Sequence, residues 1–187
     1  MINLITDIFH YDIVLNLITL AKRSVWIGTA DIKDLYVKKG NVEKPFLSIL
    51  SELIDRRVEV RLIHAKEPGP KFKADFKKYP RFKTRLERVL CPRVHFKIIL
   101  IDQKICYIGS ANLTGAGMGM KSPNRRNFET GILTDIPDIV NGSIEEFDKV
   151  WRGSECKKMS KKKVLPCPNS ITSNKYNIYL VYACVDI

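Results

Sequence analysis

The sequence predicts an α/β fold in which a largely parallel or mixed β-sheet carries α-helices on its faces. Two apolar segments rich in β-branched residues, at 24–31 and 58–65, have the composition of β-strands. Between them, the segment that begins at Pro45 is predicted to be a helix, because proline is favoured in a first helical turn. This strand–helix–strand order is typical of two parallel strands joined by a crossover helix.

The other elements are predicted from the same periodicities and from turn residues. A basic segment that follows the second strand is interleaved with aromatic residues, which favours a helix that ends near Pro80. In chain order, these further elements are a helix at 8–23, the basic helix and turn at 71–88, strands at 93–102 and 105–108 joined by a tight turn at 102–104, a strand at 128–134 and a closing helix at 136–151.

The length of 187 residues, with 45% apolar and 28% charged residues, is sufficient for one domain with a hydrophobic core. We expect this domain at 1–153, because the composition changes after Trp151. A basic extension follows at 154–187, with five lysines between Lys157 and Lys163 and a short apolar end. The N-terminal segment lacks the features of a signal peptide and no apolar run is long enough to span a membrane, so we expect a cytoplasmic protein without a transmembrane segment.

The formal net charge of +12 favours a polyanionic partner, either nucleic acid or an anionic membrane surface. The charge is concentrated between Arg56 and Lys97, which contain fourteen Lys or Arg residues and four Asp or Glu residues. A solvated basic face that aids solubility is the alternative interpretation. The cations predicted to bind a substrate are Lys71, Lys73, Lys77, Lys78, Arg81 and Arg93.

Four aromatic residues lie among these cations and could stack on the bases of a single strand, or else be core residues of a helix. They are Phe72, Phe76, Tyr79 and Phe82.

The cysteines and two of the three histidines are predicted to have structural rather than catalytic or metal-binding roles. Five cysteines without a C-x-x-C pair argue against a disulfide framework and against a zinc ribbon. Cys91 and Cys106 lie in apolar runs and are predicted to be buried. A disulfide bond between Cys156 and Cys167 is an alternative that the sequence does not decide. Among the histidines, His10 is predicted on a helix surface and His64 in the core or at its rim.

The most informative motif is H-x-K, four residues, D, six residues and G-S-x-N, and it begins at His95. A histidine is a nucleophile or a proton carrier near neutral pH, and Lys97 supplies charge for phosphate oxygens. If both lie on a strand, they point to the same face. Ser110 and Asn112 follow the next strand, where a turn offers donors to an oxyanion. Asp102 lies at the far end of the strand and is predicted to anchor the turn rather than to contact substrate.

A further carboxylate, Glu129, is a candidate partner for an imidazole nitrogen. Such a hydrogen bond fixes the tautomer of the ring and stabilises the imidazolium.

These residues match the HKD signature of the phospholipase D superfamily, which the sequence resembles over about 8–152. The resemblance implies a mixed sheet sandwiched by helices and two motifs in each active site. Because this chain has one motif, it resembles the small nucleases that build a site across a homodimer axis. The resemblance also implies that His95 attacks phosphorus to form a phosphohistidine. His95 of the partner subunit would then protonate the leaving oxygen and activate water.

In that mechanism Lys97 and Asn112 hold the nonbridging oxygens, and neither a metal nor another cofactor is required. The expected function is therefore a metal-independent endonuclease, with DNA or RNA as its partner. The alternatives are a lipid phosphodiesterase of the phospholipase D type and a nucleic-acid-binding module without turnover.

Overall fold

The computed structural model describes residues 1–33, 35–39 and 42–154. Within these ranges the strands are Ile2–Thr6 (β1), Ser24–Thr29 (β2), Tyr36–Lys39 (β3), Val42–Pro45 (β4), Glu59–His64 (β5), Leu86–Leu90 (β6), Ile98–Ile101 (β7), Ile105–Gly109 (β8) and Thr130–Thr134 (β9). The α-helices are Asn16–Thr19 (α1), Phe46–Asp55 (α2), Pro70–Lys77 (α3), Phe82–Arg85 (α4) and Pro137–Trp151 (α5). A π-helical segment, His10–Leu15, leads directly into α1, and Pro123–Arg125 forms a short 3₁₀ turn.

Seven strands form one mixed sheet in the order β1-β9-β8-β7-β2-β5-β6, and β3 and β4 form a separate hairpin. The strands β2, β5 and β6 are parallel, whereas the neighbours from β2 through β7, β8 and β9 to β1 are antiparallel. Thr29 pairs with His64, and Gly28 pairs with Ile98 at the start of β7. We call this the Thr29 end of the sheet and the opposite end the Ser24 end.

Helices cover both faces of the sheet, which confirms the predicted α/β architecture. On one face, α1 to α4 pack on alternate residues of the sheet, such as Ile27, Leu62 and Tyr107. On the other face, α5 packs through Phe147 and Trp151. Because each central strand has one apolar set facing each layer, β2 and β7 are buried along their whole lengths.

The structure differs from the predicted elements at both edges of the sheet and at several boundaries. Neither the edge strand β1 nor the hairpin of β3 and β4 was predicted from the sequence. The segment predicted as a single helix and turn at 71–88 is two short helices followed by β6. In β6, which is an edge strand, Glu87 and Arg88 are half-exposed. Its sequence therefore lacks the regular alternation of apolar and polar residues that would predict a strand. The strand predicted at 93–102 begins only at Ile98, because the preceding residues cross from β6 to β7 outside the sheet. Similarly, β9 begins at Thr130 rather than at Phe128.

Cys91 and Cys106 are buried free thiols, as predicted. The basic extension, including Cys156 and Cys167, lies outside the described residues except for Ser154. Within the described ranges, every helix is too short or too polar to cross a lipid bilayer.

Candidate active site

His95 and Lys97 lie at the Thr29 end of the sheet, in the extended segment that leads into β7. The His95 side chain is exposed, whereas Lys97 is only 8% exposed, and the Nζ of Lys97 donates a hydrogen bond to the backbone carbonyl of His95 at 2.7 Å. The prediction that both lie on a strand was therefore wrong, since β7 starts one residue after Lys97. The lysine instead holds the backbone from which the histidine projects.

The residue between them packs against β2. Gly28 allows this contact, because a Cβ atom at that position would lie 2.2 Å from a ring carbon of Phe96. The ring of Phe96 packs against the core on the α5 face, while His95 remains in solvent. A glycine on the central strand thus determines how closely the H-x-K segment approaches the sheet.

Burial lowers the pKa of the Lys97 ammonium, and the negative charge of Glu129 partly offsets this effect. The same carboxylate acts on the ionisation of Tyr107 and His10, so the four side chains form one electrostatic group. A largely desolvated cation beside an exposed imidazole attracts an anion more strongly than an exposed lysine would.

Ser110 and Glu129 meet because Gly109 pairs with Gly131 across β8 and β9. The Ser110 hydroxyl donates to Oε2 of Glu129 and accepts a hydrogen bond from the backbone N–H of Thr130 at 3.1 Å. The other carboxylate oxygen accepts from Nδ2 of Asn127 at 3.0 Å. Glu129 is thus held by two side chains of its own chain, and its contact with an imidazole stays a prediction.

Asn112 connects the segments that follow β2 and β8. Its Oδ1 accepts hydrogen bonds from the backbone N–H of Asp31 at 3.1 Å and from the hydroxyl of Thr29 at 3.3 Å. These contacts place Asn112 at the same end of the sheet as His95 and Lys97.

Tyr107 lies beneath the Ser110–Glu129 pair. A Cβ atom on Gly109 would lie 2.3 Å from the Tyr107 hydroxyl, and one on Gly131 would lie 2.6 Å from its ring. The glycine of the G-S-x-N turn is therefore required by the tyrosine ring two residues before it. Burial raises the pKa of the phenol, which stays protonated at neutral pH.

His10 packs edge-on against Tyr107, with ring centroids 5.5 Å apart. It is fully buried, so the prediction of a helix-surface histidine was wrong. Its Nδ1 lies 3.0 Å from the carbonyl oxygen of Asp7, and burial lowers its pKa. The four-residue spacing of His10, Val14 and Ile18 was the available signal, because such residues share one face of a helix.

Asp102 lies at the Ser24 end of the sheet. Its carboxylate accepts hydrogen bonds from the backbone N–H groups of Lys22, Arg23 and Ser24 at 3.0, 2.7 and 3.0 Å. Burial alone would raise its pKa, but these three donors outweigh burial and lower it. Asp102 therefore anchors the start of β2, at the opposite end of the sheet from His95.

The predicted substrate cations are spread over both ends of the sheet. Arg93 is exposed two residues before His95, and α3 begins near the same end, with Nζ of Lys71 5.0 Å from the centroid of the Tyr36 ring. Arg81 instead forms an ion pair with Asp55, which precedes β5 at the Ser24 end, so the structure separates Arg81 from the motif.

The remaining three cations lie on or just after α3. Lys73 pairs with Glu67 at 3.4 Å, Lys78 pairs with Asp75 at 2.7 Å, and Lys77 is exposed.

Two of the four aromatic residues proposed to stack on bases are core residues. Phe72 and Phe82 are 6% and 0% exposed, so the stacking interpretation was wrong for them. The rings of Phe76 and Tyr79 pack on Phe82 with centroids at 4.9 and 5.2 Å. Phe128 is fully exposed, although the sequence predicts it inside a strand.

Within the described ranges, no three His, Cys, Asp or Glu side chains are grouped closely enough to hold a metal ion.

Comparisons with known proteins agree with this fold. A family model described as "Cardiolipin synthase, PLD-like domain" matches residues 14–151. NucT from Helicobacter pylori is similar in structure, with a TM-score of 0.59 and 16% sequence identity over 81% of this chain and 96% of that one. Nuc from Salmonella typhimurium, a phospholipase D family member, gives a TM-score of 0.57 and 16% identity over 81% and 95% of the two chains.

A third similar structure is TrmBL2, an archaeal chromatin protein, with a TM-score of 0.56 and 16% identity over 81% of this chain and 52% of that one. No protein of curated function matches the sequence significantly. The chain belongs to the phospholipase D-like family, because the family model spans most of its length. Membership of this superfamily supports a phosphodiesterase in general terms.

Proposed function

We propose that the protein is a nuclease that cleaves phosphodiester bonds through a covalent phosphohistidine on His95, without a metal ion. The observation that carries this proposal is the arrangement at the Thr29 end of the sheet, where an exposed imidazole lies beside a buried cation and two polar turn residues. This arrangement supplies a nucleophile together with donors for phosphate oxygens.

The first step forms a bond between a ring nitrogen of His95 and phosphorus and breaks the bond from phosphorus to the leaving oxygen. Lys97 and the Nδ2 group of Asn112 stabilise the charge on the nonbridging oxygens. A second histidine protonates the leaving oxygen, and then takes a proton from water as the water displaces His95 from phosphorus. This chain carries one copy of the full motif that runs from His95 through Asp102 to Asn112, so we assign the second histidine to His95 of the partner subunit in a homodimer.

The charge of +12 and the exposed cations near the site, such as Arg93, favour a polyanionic substrate, either nucleic acid or an anionic lipid surface. Nucleic acid is our first candidate, because TrmBL2, one of the similar structures, is described as binding DNA in a novel mode. A lipid substrate is the second candidate, favoured by the description of the matching family as cardiolipin synthase.

The test is cleavage of labelled single- and double-stranded DNA and RNA in excess EDTA, with His95→Ala and His95→Asn in parallel. We expect cleavage that survives EDTA and is lost in both variants. In the native protein, one fragment of the cleaved strand should become attached through an acid-labile phosphorus–nitrogen bond. Protein diluted below its dimer dissociation constant should lose activity. Cleavage that persists in His95→Ala, or turnover confined to phospholipid vesicles, would contradict the proposal.

A further inference from the structure

The segment between Gly119 and Glu129 presents one aromatic ring to solvent. Phe128 is fully exposed, although phenylalanine is among the residue types most often buried. Its neighbour Glu129 contacts Ser110 of the motif, so the ring stands one residue away from the candidate active site.

The backbone on both sides of Phe128 is fixed. The N–H of Asn127 donates to the carbonyl of Ala116 at 3.2 Å, and its side chain donates to Glu129. On the other side, Thr130 starts β9 and donates to the hydroxyl of Ser110. The ring is therefore displayed from an anchored position, which reduces the entropy lost when a ligand contacts it.

Cations accompany the ring. Arg126 is bound to Asp7 at 3.0 Å and to the carbonyl of Lys121 at 2.6 Å, so it braces the segment. Lys121 and Arg125 are exposed. The guanidinium of Arg125 donates a hydrogen bond to the hydroxyl of Ser122 at 3.3 Å. The segment thus combines one aromatic surface with two exposed positive charges.

We propose that Phe128 is a stacking platform for an unpaired nucleobase, and that Arg125 and Lys121 hold the adjacent phosphates of a single strand. This proposal rests on the nuclease function proposed above and deepens it by specifying a single-stranded substrate. Every base has a π-face that can stack on such a ring, whereas the bases of a duplex are already stacked on one another. A lipid surface would favour a contiguous apolar patch, but the neighbours of Phe128 are Asn127 and Glu129.

The test measures binding of a labelled 20-nucleotide single strand and of its duplex by fluorescence anisotropy, in the His95→Ala background to prevent cleavage. We expect Phe128→Ala to weaken single-strand binding by about ten-fold and to leave duplex binding within about two-fold. Phe128→Trp should retain affinity. Leu20→Ala, which removes another exposed apolar side chain at the Ser24 end, is the matched control and should bind like its parent.

Two further measurements assign the contacts. Phe128→Ala should leave the salt dependence of affinity unchanged, whereas Arg125→Ala should reduce its slope, because only the arginine displaces counterions from phosphate. A single abasic position in the strand should weaken binding to the parent protein but not weaken further the binding to Phe128→Ala.

Equal single-strand affinity of Phe128→Ala and its parent would overturn the platform, and so would equal losses on single strand and duplex. Loss of dimer mass in Phe128→Ala would assign the ring to a subunit interface and also overturn the proposal. If native protein cleaves single strands in EDTA while Phe128→Ala binds normally, the platform fails and the nuclease function stands. If native protein binds only vesicles of phosphatidylglycerol and phosphatidylcholine, both proposals fail.

Discussion

The ammonium of Lys97 donates a hydrogen bond to the backbone carbonyl of His95 at 2.7 Å. The cation that the proposed mechanism uses to hold phosphate therefore also fixes the backbone that carries the proposed nucleophile. Because Lys97 is 8% exposed, this contact is made with little competition from water.

We expect Lys97→Met to reduce the rate of cleavage by about 10²- to 10³-fold, since it removes a preorganised donor and the backbone contact together. Lys97→Arg should recover little of this rate, because a planar guanidinium does not reproduce a point-charge ammonium in a buried position. Single-turnover cleavage and strand affinity, measured side by side, separate chemistry from binding. A rate within three-fold of the native value in Lys97→Met would show that the cation is not used in the reaction.

Ser110→Ala removes the hydroxyl that holds Glu129. A hydrogen bond to a charged group contributes roughly 1.5–3 kcal/mol, so we expect a loss of about 10- to 100-fold in the rate constant of cleavage. Ser51→Ala, at a half-buried position in α2, is the control and should cleave normally. A larger effect on KM than on kcat would indicate that Ser110 binds substrate rather than positioning Glu129.

Much of the fold could be predicted because its signals are local. The closing helix at Pro137–Trp151 and the strand at Ser24–Thr29 follow from periodicity and β-branched composition. The helix after Pro45 follows from the position of the proline. By contrast, β6 is defined by its pairing with β5, a long-range contact that its own charged residues conceal.

The sequence predicts that the motif residues lie close together, but it does not predict which of them make contact, because that depends on the register of the strands. That Ser110 meets Glu129 depends on the pairing of Gly109 with Gly131, which no spacing within the sequence specifies. The exposure of Phe128 likewise depends on where β9 begins, and a shift of two residues in that boundary conceals it.

Gly28→Ala tests how the sheet positions the H-x-K segment. A methyl group there would meet the ring of Phe96 at 2.2 Å, so the ring must shift and move His95 with it. We expect a stability loss of about 1–3 kcal/mol and a slower cleavage step. Adding Phe96→Leu to the Gly28→Ala variant should restore part of the stability and part of the cleavage rate, because the smaller side chain relieves the clash.

The matched control is Gly142→Ala in α5. A Cβ atom at that position meets no neighbouring atom within 4 Å, and alanine is favoured over glycine inside a helix. This variant should be stabilised by about 0.5–1 kcal/mol with unchanged cleavage. If both glycine variants cleave like the native protein, the contact between Phe96 and Gly28 does not position His95.

His64 should make the protein sensitive to mild acid. Burial, together with the nearby charge of Arg88, lowers its pKa from 6.5 to about 4. The unfolded chain binds a proton below pH 6.5 while the folded protein does not, so stability is fully present above pH 6.5 and is lost as pH falls towards 4. The loss over that window is about 3 kcal/mol.

His64→Asn retains a donor for the carbonyl of Lys66 and cannot titrate. Its free energy of unfolding, from urea denaturation, should therefore change less between pH 6.5 and 4 than that of the native protein. His10 should retain part of the dependence, because burial lowers its pKa as well. Identical pH profiles for His64→Asn and the native protein would mean that His64 accepts a proton in the folded state.

Asp102→Asn should reduce stability while leaving the active site unchanged. The asparagine tolerates the positive φ of +54° at this position and keeps an acceptor, but it loses the charge that receives three backbone N–H groups. We expect a loss of about 1–2 kcal/mol, and more for Asp102→Ala, which leaves those donors unpaired in a strained backbone. Cleavage at 25 °C should stay within two-fold of native, because Asp102 lies at the Ser24 end.

The pH dependence of this variant gives a second readout. Hydrogen bonds lower the pKa of Asp102 below its ordinary value of 3.8, so its contribution is complete above that pH and is lost as acid protonates the folded carboxyl. The difference in unfolding free energy between the native protein and Asp102→Asn should accordingly shrink below pH 3.8. A constant difference from pH 7 to pH 3, or a loss of cleavage in well-folded Asp102→Asn, would contradict a purely structural anchor and bring Asp102 into the reaction.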